Sequence, residues 1–300
     1  MKKRTALLGV AALVLLAAGS TILWTLRPGD APAPRPVPGK KTVRTRTGGT
    51  DSGVHNWIPA ERKEVEKIVN PGEGDSAERL RLVHVLPDDL SATDLRAVAE
   101  YLKHGPNNDA EYVIKNDLMN KLRNQRKPVP GLNRLLIDLC TDREQDEVVR
   151  AYALQHLRPQ YEETGDPAIK TTMFAMLDET ENGMAGGALL ALRYLAEEYP
   201  KEFDAGEVAR RATEIAASEG TANLTRISAL QVASRFGARE LEPVAQRLAE
   251  DTSASLPLRL SAIATLGQLN AAGSLPTLQT LAGTPGPVGK AAGAAMKKIR

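Results

Sequence analysis

Two stretches toward the C-terminal end of the chain share one pattern. When "TRISALQVASRFGARELEPVAQRL" is set above "LRLSAIATLGQLNAAGSLPTLQTL", Arg226 falls on Arg259, Ala229 on Ala262, Phe236 on Leu269, Pro243 on Pro276 and Leu248 on Leu281, each pair 33 residues apart. A repeat of this length is one supersecondary unit that cannot bury its own apolar face, so neighbouring units have to stack. Each unit reads as two helices. The first carries small and aliphatic residues for close packing, and the second has proline near its start, where a missing N–H costs little. Looser copies lie at "VVRAYALQHL" around Arg150 and at "GMAGGALLALRYL" around Ala188.

The repeat also decides how to read "GTPGPVGKAAGAAMKKIR", residues 283–300, whose glycines and lysine invite comparison with a phosphate-binding loop. Offset by 30 residues, Pro257 pairs with Pro287, Ala262 with Ala292, Leu266 with Met296 and Leu269 with Ile299, which makes the segment the first helix of one more repeat. The phosphate-loop pattern needs four residues between its glycines and a hydroxyl after its lysine. Here Gly283 and Gly289 are separated by five, and Ala291 stands in the hydroxyl position.

Composition agrees with a helical stack. The chain is 42% hydrophobic but only 4% aromatic, which suits closely packed helices better than a β-sandwich. A formal net charge of +2 implies no affinity of the whole protein for nucleic acid. The single cysteine, Cys140, excludes an intramolecular disulfide and a cysteine-based zinc site.

Individual helices are legible as well. Ser91 and Asp94 are spaced as a capping box, Leu90 and Leu95 as a hydrophobic staple, and Gly105 follows as a stop, which predicts a helix over 91–104. Leu132, Leu135, Leu136, Leu139 and Cys140 form one apolar stripe, placing Cys140 in the core. Asp204 followed by Glu207 opens a helix running through Ala217.

At these residues the chain resembles the HEAT-repeat proteins, in particular the short HEAT-like repeat of the phycobilisome lyases. "LRLSAIATLGQL" matches that repeat's first helix with Arg259, Ala262, Leu266 and Gly267; "TRISALQVASRFG" has Ala233 where the leucine would stand, and "VGKAAGAAMKKI" lacks the arginine. The resemblance is specific for residues 224–300 and looser from about 109. It implies an all-α fold, a right-handed α-solenoid of stacked hairpins that binds partners, in a family where very few members catalyse a reaction. It also implies an alternative, a lyase-like helper in chromophore attachment.

The N-terminal region is of a different kind. Lys2, Lys3 and Arg4 precede 21 uncharged residues from Ala6 to Leu26, long enough as a helix to span about 30 Å of hydrocarbon, with Trp24 at the interfacial end. Ala17 and Gly19 leave open a cleaved signal peptide. Prolines 28, 32, 34, 36 and 38 then favour an extended spacer, and Lys40, Lys41, Arg44 and Arg46 form a basic cluster able to meet anionic lipid or wall polymer. The expected organisation is a membrane anchor or signal peptide at 1–26, a mostly disordered linker at 27–75 and the solenoid at 76–300. The expected location is a bacterial inner membrane, single-pass with the soluble part on the periplasmic side, or secreted after cleavage.

Catalytic constellations are not evident. His55, His84, His104 and His156 are scattered without a metal-ligand pair, and no nucleophile elbow is present. The sequon at Asn223 falls where a repeat helix begins and reads as accidental. The chain is therefore expected to be no enzyme, with no cofactor, but a scaffold whose second helices present Arg210, Arg211, Glu214, Arg239, Glu242 and Arg247 to a protein partner.

Overall fold

The computed structural model describes residues 58–299 apart from 71, 73 and 74. The apolar run 6–26 and the proline-rich and basic stretch 27–57 lie outside these residues. Among the described residues no helix is long and apolar enough to cross a membrane.

The described residues form α-helices and short 3₁₀ turns, with no strand. In chain order the helices are α1 (Lys63–Val69), α2 (Ser76–Val85), α3 (Ala92–His104), α4 (Asp109–Arg123), α5 (Leu132–Thr141), α6 (Glu147–Thr164), α7 (Pro167–Ala175), α8 (Met184–Glu198), α9 (Ala205–Ala217), α10 (Asn223–Arg235), α11 (Glu242–Glu250), α12 (Leu256–Gln268), α13 (Leu275–Ala282) and α14 (Pro287–Met296). The even-numbered helices pack in sequence, each on the next, from α2 to α14. The odd-numbered helices form a second row, in which α1 meets α3, α3 meets α5, α5 meets α7 and α11 meets α13. The core runs between the two rows as one continuous set of buried aliphatic side chains.

The 33-residue offset is a structural equivalence. Helices α10 and α12 correspond, as do α11 and α13, each of the latter with proline at its second position. Gly237 and Asn270 correspond too, and both adopt positive φ, 72° and 53°. Each lets the next amide turn back, Ala238 N–H to the Ala233 carbonyl at 3.0 Å and Ala271 N–H to the Leu266 carbonyl at 3.1 Å. The tight hairpins, however, are α9–α10, α11–α12 and α13–α14 rather than α10–α11 and α12–α13. The packing unit therefore begins half a repeat earlier than the sequence comparison suggests.

One contact recurs in five hairpins. Arg226 Nε donates to the Ala216 carbonyl at 3.1 Å and Arg259 Nε to the Ala249 carbonyl at 3.2 Å. Arg150 Nε reaches Cys140 O at 2.9 Å, Lys115 Nζ reaches Gly105 O at 2.8 Å, and Arg79 Nε reaches Ile68 O at 2.9 Å. In every case a cation on an even helix covers the C-terminal end of the odd helix before it, where carbonyls lack intrahelical partners and the dipole is negative. Ala185 occupies the equivalent place on α8. There Ala185, Gly186 and Ala188 are buried, and small side chains let α10 approach closely instead.

Two of these cations are also held by buried carboxylates. Arg150 Nη2 lies 2.7 and 2.8 Å from the two oxygens of Glu179, and Arg79 Nη1 lies 2.5 Å from Glu111 Oε1. Tyr101 completes the second cluster, accepting from Arg79 Nη2 at 2.8 Å and donating to Glu111. Burial pulls the neighbouring Lys115 ammonium down to about 8.

Residues 63–69 correct the expected boundary at 76. Helix α1 belongs to the folded unit: Val65, Ile68 and Val69 are buried, and Asp94 Oδ1 accepts the amides of Glu61 and Arg62 at 2.9 and 3.0 Å. Seven residues are too few to show a periodicity, so this helix was hidden behind the linker. The same Asp94 explains why the capping box is only half formed. Ser91 Oγ accepts Asp94 N–H at 3.2 Å, but the Asp94 carboxylate accepts the two amides that lead into α1 rather than returning to Ser91. Gly105 ends α3 as expected, though with φ of −62°; glycine is required because a Cβ there would lie 2.6 Å from the Tyr101 carbonyl oxygen.

The apolar stripe of α5 is buried as expected, Cys140 included, and burial pushes its thiol up to about 12. His156 on α6 is also buried, its Nε2 3.2 Å from Asn116 Oδ1 on α4; burial, assisted by the Arg123 charge, pushes it down to about 4.

Two outcomes follow. Arg150→Ala leaves buried Glu179 with only the exposed Arg143, 3.8 Å away, and should lower unfolding free energy by about 3 kcal/mol, whereas Arg259→Ala removes only a half-exposed cap and should cost about 1 kcal/mol; urea titration of both variants measures the difference. His156 is neutral in the folded state and protonates near pH 6.5 once unfolded, so its contribution is present above that pH and is lost as pH falls toward 4, about 3 kcal/mol in all. His156→Gln should flatten the stability profile between pH 6.5 and 4, and an unchanged slope would refute the assignment.

Candidate functional site

The six expected partner residues lie on α9, α11 and the 3₁₀ turn Arg239–Leu241, all in the odd row. The structure brings α9 against that turn. It also shows that most of the six have work inside the fold. Arg210 pairs with Glu214 on its own helix at 2.5 Å, and Arg211 reaches Asp178 at 2.6 Å. Glu242 accepts the Ser274 hydroxyl at 2.9 Å, tying α11 to the turn before α13. Arg239 and Arg247 are exposed, and neither forms an ion pair among the described residues.

The even row is closed by contacts between neighbouring helices. Arg123 of α4 meets Glu163 of α6 at 3.2 Å, Arg158 of α6 stacks 4.3 Å over the Tyr194 ring of α8, and Arg235 of α10 meets Glu197 of α8 at 2.7 Å. These side chains are occupied with one another.

The odd row is open between α3 and α5. A cleft of about 380 Å³ lies there, floored by Leu95 and Ala99 of α3, Leu122 of α4 and Leu132 and Leu135 of α5. Its α3 wall is one helical face, Ala92, Leu95, Arg96, Ala99 and Lys103, at spacings of three and four. Two alanines on that face leave the depth, and residues 124–131, which include Pro128, Val129 and Pro130, carry the chain round to α5 at one end. The rim holds three cations, Arg96, Lys103 and Arg134, against one carboxylate, Asp138, which Arg134 already binds at 2.8 Å. Arg96 and Lys103 are exposed and form no ion pair among the described residues. The cleft therefore combines an apolar floor with two exposed cations that form no ion pair among the described residues.

The sequence reading missed this cleft. The helix 91–104 and the α5 stripe were both legible, but nothing within either helix shows that Arg96, Lys103 and Arg134 come to one rim once the two are placed side by side. The expected surface on α9, α11 and the turn before α11 lies in the same row as the cleft but on other helices.

Among the described residues no group of histidine, cysteine and acidic side chains is arranged to hold a metal ion. The sequon residue Thr225 is buried, its hydroxyl donating to the Asn182 carbonyl at 2.5 Å.

No protein-family model matches the chain, and no curated protein matches it. Among solved structures, human deoxyhypusine hydroxylase, determined in complex with glycerol, is similar over 79% of this chain and 94% of its own, with 16% identity and a TM-score of 0.34. That protein is an enzyme, and the expectation that this chain is none is corrected on this finding: a helical chain of this kind gives no ground for excluding catalysis. A TM-score of 0.34 assigns it no reaction either.

Proposed function

We propose that this protein is a membrane-tethered scaffold or adaptor, a HEAT-like α-solenoid that holds a protein partner on the surface of its odd-numbered helices. The observation that carries this reading is the cleft between α3 and α5, an apolar concavity with unpaired cations at its rim in a row whose counterpart is closed by its own ion pairs. The recurrent hairpin supports the solenoid: each helix buries its apolar stripe on neighbours before and after it, and the outer faces are left for recognition. Arg239 and Arg247 extend the same surface along the row.

The uncharged run 6–26 with Lys2, Lys3 and Arg4 before it supports a tether in a bacterial inner membrane, the folded unit on the periplasmic side, or export if the segment is cleaved. The prolines behind it act as a spacer, and Lys40, Lys41, Arg44 and Arg46 add attraction to anionic lipid or wall polymer.

Photo-crosslinking amino acids at Lys103, Arg239 and Arg247 should each capture the same protein in intact cells, while one at Gln268, exposed on the even row, should not. Capture from Gln268 alone, or from no position, would remove the support for a partner on the odd row.

A further inference from the structure

We infer that the α3/α5 cleft takes an acidic amphipathic helix of a protein partner, with an apolar side chain seated on Ala99 and carboxylates placed on Arg96 and Lys103. The inference rests on the partner-binding reading and adds the partner's chemistry.

The floor fixes the apolar part. Leu95, Leu122, Leu132 and Leu135 surround the space above Ala99, which suits the anchor residue of a helix laid into a groove. The rim fixes the charge. Arg134 is already engaged by Asp138, so the charges left over are Arg96, whose Nε reaches only the Ala92 carbonyl of its own helix at 3.4 Å, and Lys103. They stand seven residues apart on one helix, two turns or about 10 Å. A partner helix with carboxylates at i and i+7 and a large apolar residue between them matches both cations and the floor together. The chain's own residues 27–57 do not fit, because they carry Lys40, Lys41, Arg44 and Arg46 and meet a rim of like charge.

The test uses the full chain and a fluorescent helical peptide of about 18 residues, leucine on one face and glutamate flanking it, beside an otherwise identical peptide with lysine for glutamate. The glutamate peptide should bind, and its affinity should fall as salt rises from about 0.05 to about 0.5 M. Ala99→Trp, which fills the cleft, should weaken it by about tenfold or more. The pair Arg96→Glu with Lys103→Glu, both at exposed positions, should abolish binding of the glutamate peptide and transfer preference to the lysine peptide. If Ala99→Trp alters the helical circular dichroism, the charge-reversal pair alone decides.

Equal binding of the two peptides, binding that ignores both variants, or none at about 1 mM would overturn the inference. So would displacement of the peptide by equimolar decanoate, which would make the cleft a site for a small anionic amphiphile. Self-association of the chain abolished by Arg96→Glu would overturn it as well, by assigning the cleft to a second copy. If the peptides fail while crosslinks from Lys103, Arg239 and Arg247 persist, only the partner's chemistry is wrong; if both fail, the scaffold reading falls with it.

Discussion

A cation reaching back across a hairpin to the open end of the preceding helix is the contact on which the rest of this structure depends. The last carbonyls of α1, α3, α5, α9 and α11 have no partner along their own helices, and the stack covers them. Arg79, Lys115, Arg150, Arg226 and Arg259 each reach a carbonyl ten or eleven residues earlier. That distance stays nearly constant while the connecting loops vary from four to six residues. In these five hairpins the contact fixes how far the even helix slides along its odd partner; α8 and α14 pack without it. Once the slide is set, the apolar stripes of successive even helices meet at matching heights and the rows can extend.

The rows are unequal, and the inequality has a consequence for recognition. Helices of the even row meet through small residues, as where Gly186 of α8 faces Ser228 and Thr225 of α10, and they are stitched outside by arginine to glutamate and to Tyr194. Between α3 and α5 only Ala92 and Ala99 on the α3 side are small, no ion pair among the described residues crosses the gap, and residues 124–131 lie along its end. A space with an apolar floor and surplus positive charge is left. The charges expected to bind a partner on α9 and α11 are, by contrast, partly consumed: Arg211 by Asp178 and Glu242 by Ser274.

How far the sequence could be read depended on how local each feature was. The α5 stripe and the equivalence of α10 with α12 were legible because a helix's buried face repeats within its own text. Arg226 and Arg259 were visible as a matched pair, but their role was not, since the carbonyls they reach belong to the preceding helix. Lys115 and Arg79 play the same part and escaped the alignment, because a lysine substitutes for arginine and the surrounding aliphatic residues differ. Helix α1 escaped altogether: it is held by the burial of Val65, Ile68 and Val69 and by Asp94 and Arg79, which lie on other helices.

The sequence alone determined that the chain beyond its proline-rich stretch is helical, that its C-terminal part repeats at offsets of 33 and then 30 residues, and that Cys140 is a core residue. Spacing along a helix is a local property, so it survives without knowledge of neighbours. Only the tertiary structure decided which helices pair as hairpins, that 63–69 joins the fold, and that a cleft opens between α3 and α5. Those depend on distances between helices, set by side chains such as Ala99, Leu122 and Leu135 that face one another across dozens of residues, and no periodicity within a single helix encodes such a distance.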